Sequence, residues 1–194
     1  MLGTGNRDKA RELRAILAGL PYDIRGLKEF DAVEEPEETG QTFEDNALLK
    51  ARYYGGHFNL PCIADDSGIE VDALDGAPGV YSARYAGPGC TYADNNEKLL
   101  DALADCLWHE RTARFVCVAA FVAPDGTEHV LRGTCEGYIA AEPLGDNGFG
   151  YDPIFVPMNE ERTFAEMRAE EKEAISHRGQ AFKALRTWLA ARAG

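Results

Sequence analysis

Eight consecutive residues, Phe115–Val122, are apolar at odd and even positions alike. A strand with one face in water alternates apolar and polar residues, so this one reads as a central strand buried on both faces. Pro124-Asp125-Gly126 is a turn signal, and Thr127–Arg132 is expected to return antiparallel as a hairpin. Tyr138–Ala141 and Pro153–Val156 are further strand candidates, and Tyr22–Leu27 is a short one.

Helices lie between these strands. Asn6 to Ala18 puts Leu13, Ile16, Leu17 and Leu20 on one face, with Gly19 as the stop. Thr42 caps a helix through Tyr54, ended by Gly55-Gly56, and Asp45 stands three residues after the cap. Thr91 caps another, with Leu99, Leu100 and Leu103 inward. The last, about Arg178 to Arg192, turns Phe182, Leu185 and Leu189 to the core. Pro61–Ala64 is a short strand running into Asp65-Asp66-Ser67-Gly68, and Ile69–Leu74 a second one. Asp31–Gly40 reads as an acidic surface loop, and Gly76–Gly89 as irregular chain. Helices alternating with strands, plus a hairpin, predict an α/β fold with a mixed sheet. With 194 residues and no repeat or long linker, one domain over residues 1–194 is expected.

The chain carries 20 Lys+Arg against 33 Asp+Glu, a net charge of −13, which disfavours a duplex nucleic-acid binder and an anionic membrane surface. No apolar run approaches the roughly 20 residues that span a bilayer, and no signal peptide is evident, so a cytoplasmic protein is expected. Cys62, Cys90, Cys106, Cys117 and Cys135 are odd in number and widely spaced, without a CxxC pair, and are expected to be reduced.

Four segments carry candidate chemistry. Gly3-Thr4-Gly5-Asn6-Arg7-Asp8-Lys9 opens a helix, where free N–H groups, the helix dipole and Lys9 suit a phosphate. It also reads as a tight strand–helix turn with a solvated lysine. Asp65-Asp66 ends a buried strand, where a carboxylate could hold a hard cation such as Mg²⁺ or take a proton from water. Alternation along the strand points one Asp to the site and the other to support; the alternative is an Asx-type turn with Ser67. In Gly145–Pro153, glycines around Phe149 let a flat ligand stack on the ring, or the loop tucks Phe149 and Tyr151 into the core. Ser176 reads as an N-cap that sets His177 and Arg178 in a first helical turn near Lys172, favouring an anion, or else a plain capped helix start.

The acidic run Glu34–Glu38 is solvated surface that could lend a metal one carboxylate. His57, His109 and His129 have no partner spacing, Ser67 lacks a GxSxG elbow, and no cysteine pairs suggestively with a histidine. Phosphate donors, carboxylates for a divalent ion and an aromatic for a flat ring together describe a nucleoside triphosphate site.

Thr4–Lys9, Thr42–Ala47, Ala64–Gly68, Gly79–Tyr85, Gly148–Pro153 and Glu170–Gly179 follow one another in an order that resembles the inosine/xanthosine triphosphate pyrophosphatase family, the Ham1-type enzymes. The resemblance runs from about Gly3 to the end. It implies an elongated mixed-sheet α/β fold of two lobes with a cleft between them, a homodimer, and Mg²⁺-dependent cleavage of dITP, ITP and XTP to the monophosphate and pyrophosphate. Carried over position by position, Thr4, Gly5, Asn6, Arg7, Asp8 and Lys9 would hold the triphosphate. Asp66 would bind Mg²⁺ and serve as general base, Glu38 would be a second metal carboxylate, and Ser67 would touch substrate. Phe149, Gly150, Tyr151, Asp152, Lys172, His177 and Arg178 would surround base and sugar. Donors aimed at a 6-oxo group would reject adenine, and crowding at the 2-position would reject guanine.

Phe149 and Ser176-His177-Arg178-Gly179 argue against the Maf-like pyrophosphatases. Asp66, Lys9 and Lys172 argue against a non-catalytic nucleotide sensor. One departure stands out. Only Met1 and Leu2 precede Gly3, where such proteins carry several apolar residues, so an upstream start or a trimmed first strand with weaker anchoring of Lys9 is expected.

Overall fold

The computed structural model describes residues 1–192. Four strands, β1 (Cys62–Val71), β2 (Thr112–Val122), β3 (Glu128–Ile139) and β4 (Phe155–Pro157), form one sheet in the order β1-β2-β3-β4. β3 and β4 run antiparallel, with Tyr138 opposite Val156. The α/β class is as the sequence predicts, but the four named strands form an antiparallel sheet, and the parallel component is confined to isolated bridges of Leu2 with Ile63 and Gly26. β2 is an interior strand, and Val116–Ala120 are all buried, which is why its apolar run shows no alternation. Among the described residues, no helix is long and apolar enough to cross a membrane.

The chain divides into two compact units. One takes in Met1–Asp66, Cys117–Gly133 and the chain from Arg178; the other takes in Ser67–Val116 and Thr134–His177. The first contains α1 (Arg7–Ile16), α2 (Phe43–Phe58) and nearly all of α5 (His177–Arg192). Its core joins Leu2, Leu13, Ile16 and Leu17 with Cys117, Ala119 and the buried face Phe182, Leu185 and Leu189. The second contains α3 (Tyr92–Ala102) and α4 (Ala169–Ile175). Leu99 and Leu103 pack there with Ile69, Val71, Ile139 and an aromatic group of Phe115, Phe155 and Phe164. All five cysteines are free.

Several boundaries differ from the sequence reading. Tyr22–Leu27 forms no strand: Leu2 N–H donates to Arg25 O at 2.7 Å, but Met1–Gly3 is too short to template a ladder, and Leu27–Glu29 turns into a 3-10 helix. Short as it is, that segment remains fixed, since Gly3 N–H donates to Ile63 O and Ile63 N–H to Met1 O.

α2 passes through Gly55-Gly56 and stops at Asn59, which adopts the left-handed conformation at φ 51°. A Cβ on Gly55 would lie 3.3 Å from both Leu60 O and Cys62 Cβ, so this glycine serves close packing rather than termination. The short strands Pro61–Ala64 and Ile69–Leu74 are parts of one continuous β1, with Asp72–Leu74 as a 3-10 turn. Asp65–Gly68 is therefore strand and not turn. Tyr138 and Ile139 end β3, and β4 starts only at Phe155, after a 3-10 turn at Asp152–Ile154.

Candidate functional site

In the first unit, the two aspartates in β1 serve separate clusters, as strand alternation requires. Asp65 has no exposed side-chain surface, and Lys9 Nζ lies 3.0 Å from its Oδ2. Arg178 Nη2 stands 3.8 Å from the same oxygen, while its Nη1 donates to Glu12 at 2.8 Å. Burial alone would raise the Asp65 pKa, but Lys9, Arg178 and Lys50 outweigh it and hold the carboxyl down at about 2. Burial would likewise lower the Arg178 pKa, yet Asp65 and Glu12 drive it further up.

Lys9 reaches Asp65 from α1. Asn6 caps that helix, its Oδ1 accepting from Asp8 N–H at 2.9 Å and Lys9 N–H at 3.1 Å. Thr4 Oγ1 accepts from Asn6 N–H at 3.3 Å, so Thr4–Lys9 form one ordered turn with N–H groups at a positive helix end. Within it, Gly5 and Arg7 are exposed, and Asp8 pairs with Arg11 at 3.0 Å.

Asp66 is tied to α2. Lys50 Nζ donates to its Oδ1 at 2.9 Å and to Glu38 Oε1 at 2.7 Å, and Asn46 Nδ2 donates to Asp66 Oδ2 at 3.3 Å. Burial raises the Asp66 pKa; Lys50 opposes this, Glu38 reinforces it, and the carboxylate ends above its ordinary value. Desolvation pulls Lys50 down, but Asp66, Asp65 and Glu38 more than compensate and keep it cationic.

Asn46 and Lys50 are four apart and so share one helix face, which Thr42 orients by capping Asp45 N–H. Asn46 Oδ1 also accepts from Gly40 N–H at 2.8 Å, tying down the loop that carries Glu38. Lys50, Asn46 and Glu12 were not singled out from sequence. The signal was the Asn46–Lys50 spacing inside a helix already recognised from its Thr42 cap.

In the second unit, Lys172 Nζ donates to Asp152 Oδ2 at 2.6 Å, and both side chains are buried. The same carboxylate oxygen accepts from Phe149 N–H at 2.8 Å. The ammonium lies 5.1 Å from the Phe149 ring centre and 5.6 Å from that of Phe164. Gly148 and Gly150 have φ of 74° and 66°, and a Cβ on Gly148 would fall 2.0 Å from Asp152 Oδ2.

Neighbouring residues hold this loop. Asn96 Nδ2 donates to Gly150 O at 3.1 Å, and Tyr151 O–H to Ser82 O at 2.8 Å. Tyr92 lies 6.0 Å from the Phe149 ring and is 45% exposed, so the pair offers an accessible aromatic surface. Phe149 and Gly150 are half-buried, as the stacking reading requires, whereas Tyr151 is buried, as the core reading has it. His177 opens α5, and its ring stacks on Phe115 at 4.5 Å with planes 8° apart. Ser67 is half-buried in β1. Asn96 and Ser82 were not assigned roles from sequence, and nothing in the spacing pointed to them.

Thus Lys9, Asp65 and Arg178 meet in one cluster, Glu38 and Asp66 in another, and Phe149, Asp152 and Lys172 in a third. The first two manage charge, and the third presents a cation beside a ring. The Glu38–Asp66 pair fits a hard divalent ion: two oxygen donors already converge on one ammonium, and Mg²⁺ is usually held by one or two carboxylates plus substrate phosphate.

The model of the Ham1 family matches residues 1–188. A dITP/XTP pyrophosphatase of Exiguobacterium sibiricum is 50% identical over 189 residues, covering 97% of this chain and 96% of that protein. One of Streptomyces coelicolor is 50% identical over 187 residues, covering 95% and 94%. The structure of a HAM1 protein from Coxiella burnetii superposes with a TM-score of 0.90 at 44% identity, covering 98% of this chain and 97% of that one. The Staphylococcus aureus Ham1 protein gives 0.88 at 41%, with the same coverage. A match in sequence over nearly the whole chain, and in fold at the same extent, makes this chain a member of the Ham1 family.

Proposed function

We propose that this protein hydrolyses dITP, ITP and XTP to the nucleoside monophosphate and pyrophosphate. The observation that carries it is the Lys50-bridged pair of Glu38 and Asp66, in a chain about half identical to enzymes named dITP/XTP pyrophosphatase. Glu38 and Asp66 would hold Mg²⁺, which when bound would supply positive charge against the phosphates.

The chain's own residues do the remainder. Thr4–Lys9 cradle phosphate oxygens through N–H groups at the α1 N-terminus and the Lys9 ammonium. Arg178 adds a second fixed positive charge, and Asp65 keeps both cations in place. Asp66 takes the proton from the attacking water as general base. Asn46 and Lys50 fix the orientation of that carboxylate.

Phe149 stacks on the base, and Lys172, aligned by Asp152, and His177 direct donors to its 6-oxo edge. Adenine presents an amino donor there and is refused, and crowding at the 2-position refuses guanine. Ser67 and Gly150 complete the surroundings of the sugar and base, and Tyr151 supports them from the core through its bond to Ser82 O. Residues 1–194 act as one ITPase-like domain, a reading supported by β1, β2 and β3 each passing through both units. Cytoplasmic location follows from a nucleotide-pool substrate, and the homodimer is carried over from the family resemblance.

Pyrophosphate release from dITP, XTP, dATP and dGTP with Mg²⁺ tests the reading. Turnover of dITP and XTP far above dATP and dGTP is expected. Equal rates on all four refute the specificity, and tight dITP binding without turnover identifies a sensor instead.

A further inference from the structure

Lys50 holds an unusual position for a lysine. Its ammonium stands 2.7 Å from Glu38 and 2.9 Å from Asp66, with 13% of its side chain exposed, so it bridges the two carboxylates assigned to the metal. Asp65 acts on it only through space, its own ion pairs being with Lys9 at 3.0 Å and Arg178 at 3.8 Å. Glu38, Asp66 and Lys50 together carry one net negative charge. A divalent cation added there would sit against a fixed ammonium and leave a positive surplus in a partly desolvated place.

We propose that Lys50 is a built-in counter-cation which keeps divalent metal from binding stably until a triphosphate brings further negative charge. Metal and nucleotide are then taken up together, and the flexible lysine stem lets the ammonium turn to a phosphate oxygen. The inference rests on the reading that Glu38 and Asp66 are the metal carboxylates. It adds that Lys50 offsets one of the two carboxylate charges in the free enzyme, leaving too little negative charge to hold a divalent ion.

Titration of Mn²⁺ alone, without nucleotide, into the full-length parent, Lys50→Met and Lys50→Arg tests this. Lys50→Met is expected to bind Mn²⁺ about tenfold more tightly, the effect of removing one nearby like charge, and Lys50→Arg to stay at the parental affinity. Adding Asp66→Asn to Lys50→Met should abolish the gain. A triphosphate analogue resistant to hydrolysis should bring parent and Lys50→Met closer together. If Lys50→Met does not fold without metal, Lys50→Gln, shorter and neutral, carries the same comparison.

Unchanged or weaker Mn²⁺ binding by the neutral variants, in a parent whose binding is lost in Asp66→Asn, overturns the inference and leaves the metal reading intact. Equal tightening by Lys50→Arg overturns it too. Absence of Mn²⁺ binding in every variant, with the analogue present, refutes the metal reading itself.

Discussion

Lys9 Nζ lies 3.0 Å from the Oδ2 of Asp65, a carboxylate with no exposed side-chain surface, and the pair ties the N-terminus of α1 to β1. The folded-state pKa of Asp65 is held at about 2, below the ordinary value. Its charge therefore stabilises the fold above the unfolded pKa near 3.8, and this contribution disappears as pH falls through about 2. Asp65→Asn removes the buried carboxylate that faces Lys9 and Arg178, so it should lower the urea midpoint at neutral pH. The gap between parent and variant should narrow as pH drops from 4 toward 2.

Asn6 accepts from two N–H groups of the turn that presents Lys9. Asn6→Ala should cost about 1 kcal/mol of stability. On the proposed phosphate-binding role of the turn, it should raise the KM for dITP more than it lowers kcat. Steady-state kinetics beside a denaturation curve checks both.

The buried Lys172–Asp152 pair is expected to be sensitive to removal of either partner. Lys172→Met leaves Asp152 buried with its ammonium removed, a change that typically costs roughly 3–5 kcal/mol. Thermal unfolding should show the loss, and the surviving protein should discriminate poorly between dITP and dATP.

Gly148→Ala would require a side chain at φ 74° and a methyl 2.0 Å from Asp152 Oδ2. The strain is on the order of 1–3 kcal/mol and falls on the loop that positions Phe149. KM for dITP should rise while the affinity for Mg²⁺ stays the same, a split read by kinetics and metal titration.

Local patterns carried most of the fold. The unbroken apolar run of β2 located the interior strand, and Asn6, Thr42 and Thr91 marked helix starts through their side-chain caps. What the patterns misplaced depended on distant partners. Asp65-Asp66-Ser67-Gly68 has turn composition, yet it stays in strand because Lys9, Lys50 and Arg178 neutralise its carboxylates from other elements. Gly55-Gly56 resembles a stop, but close approach to Leu60 and Cys62 keeps it helical.

The same divide holds for the site. The segments that carry Phe149, Asp152 and Lys172 are legible separately, their contact and the pairing of Arg178 with Asp65 are not, and Lys50 is invisible until α2 is set against β1. No residue-by-residue propensity distinguishes a lysine that solvates a helix from one that bridges two acids.

The most direct measurement is pyrophosphate release from dITP by Asp66→Asn, set beside its affinity for dITP. Loss of the base together with a metal carboxylate predicts a fall of at least roughly 10²-fold in turnover, with metal-free dITP binding largely retained. Turnover within a few-fold of the parent would contradict the assignment of Asp66 as the base.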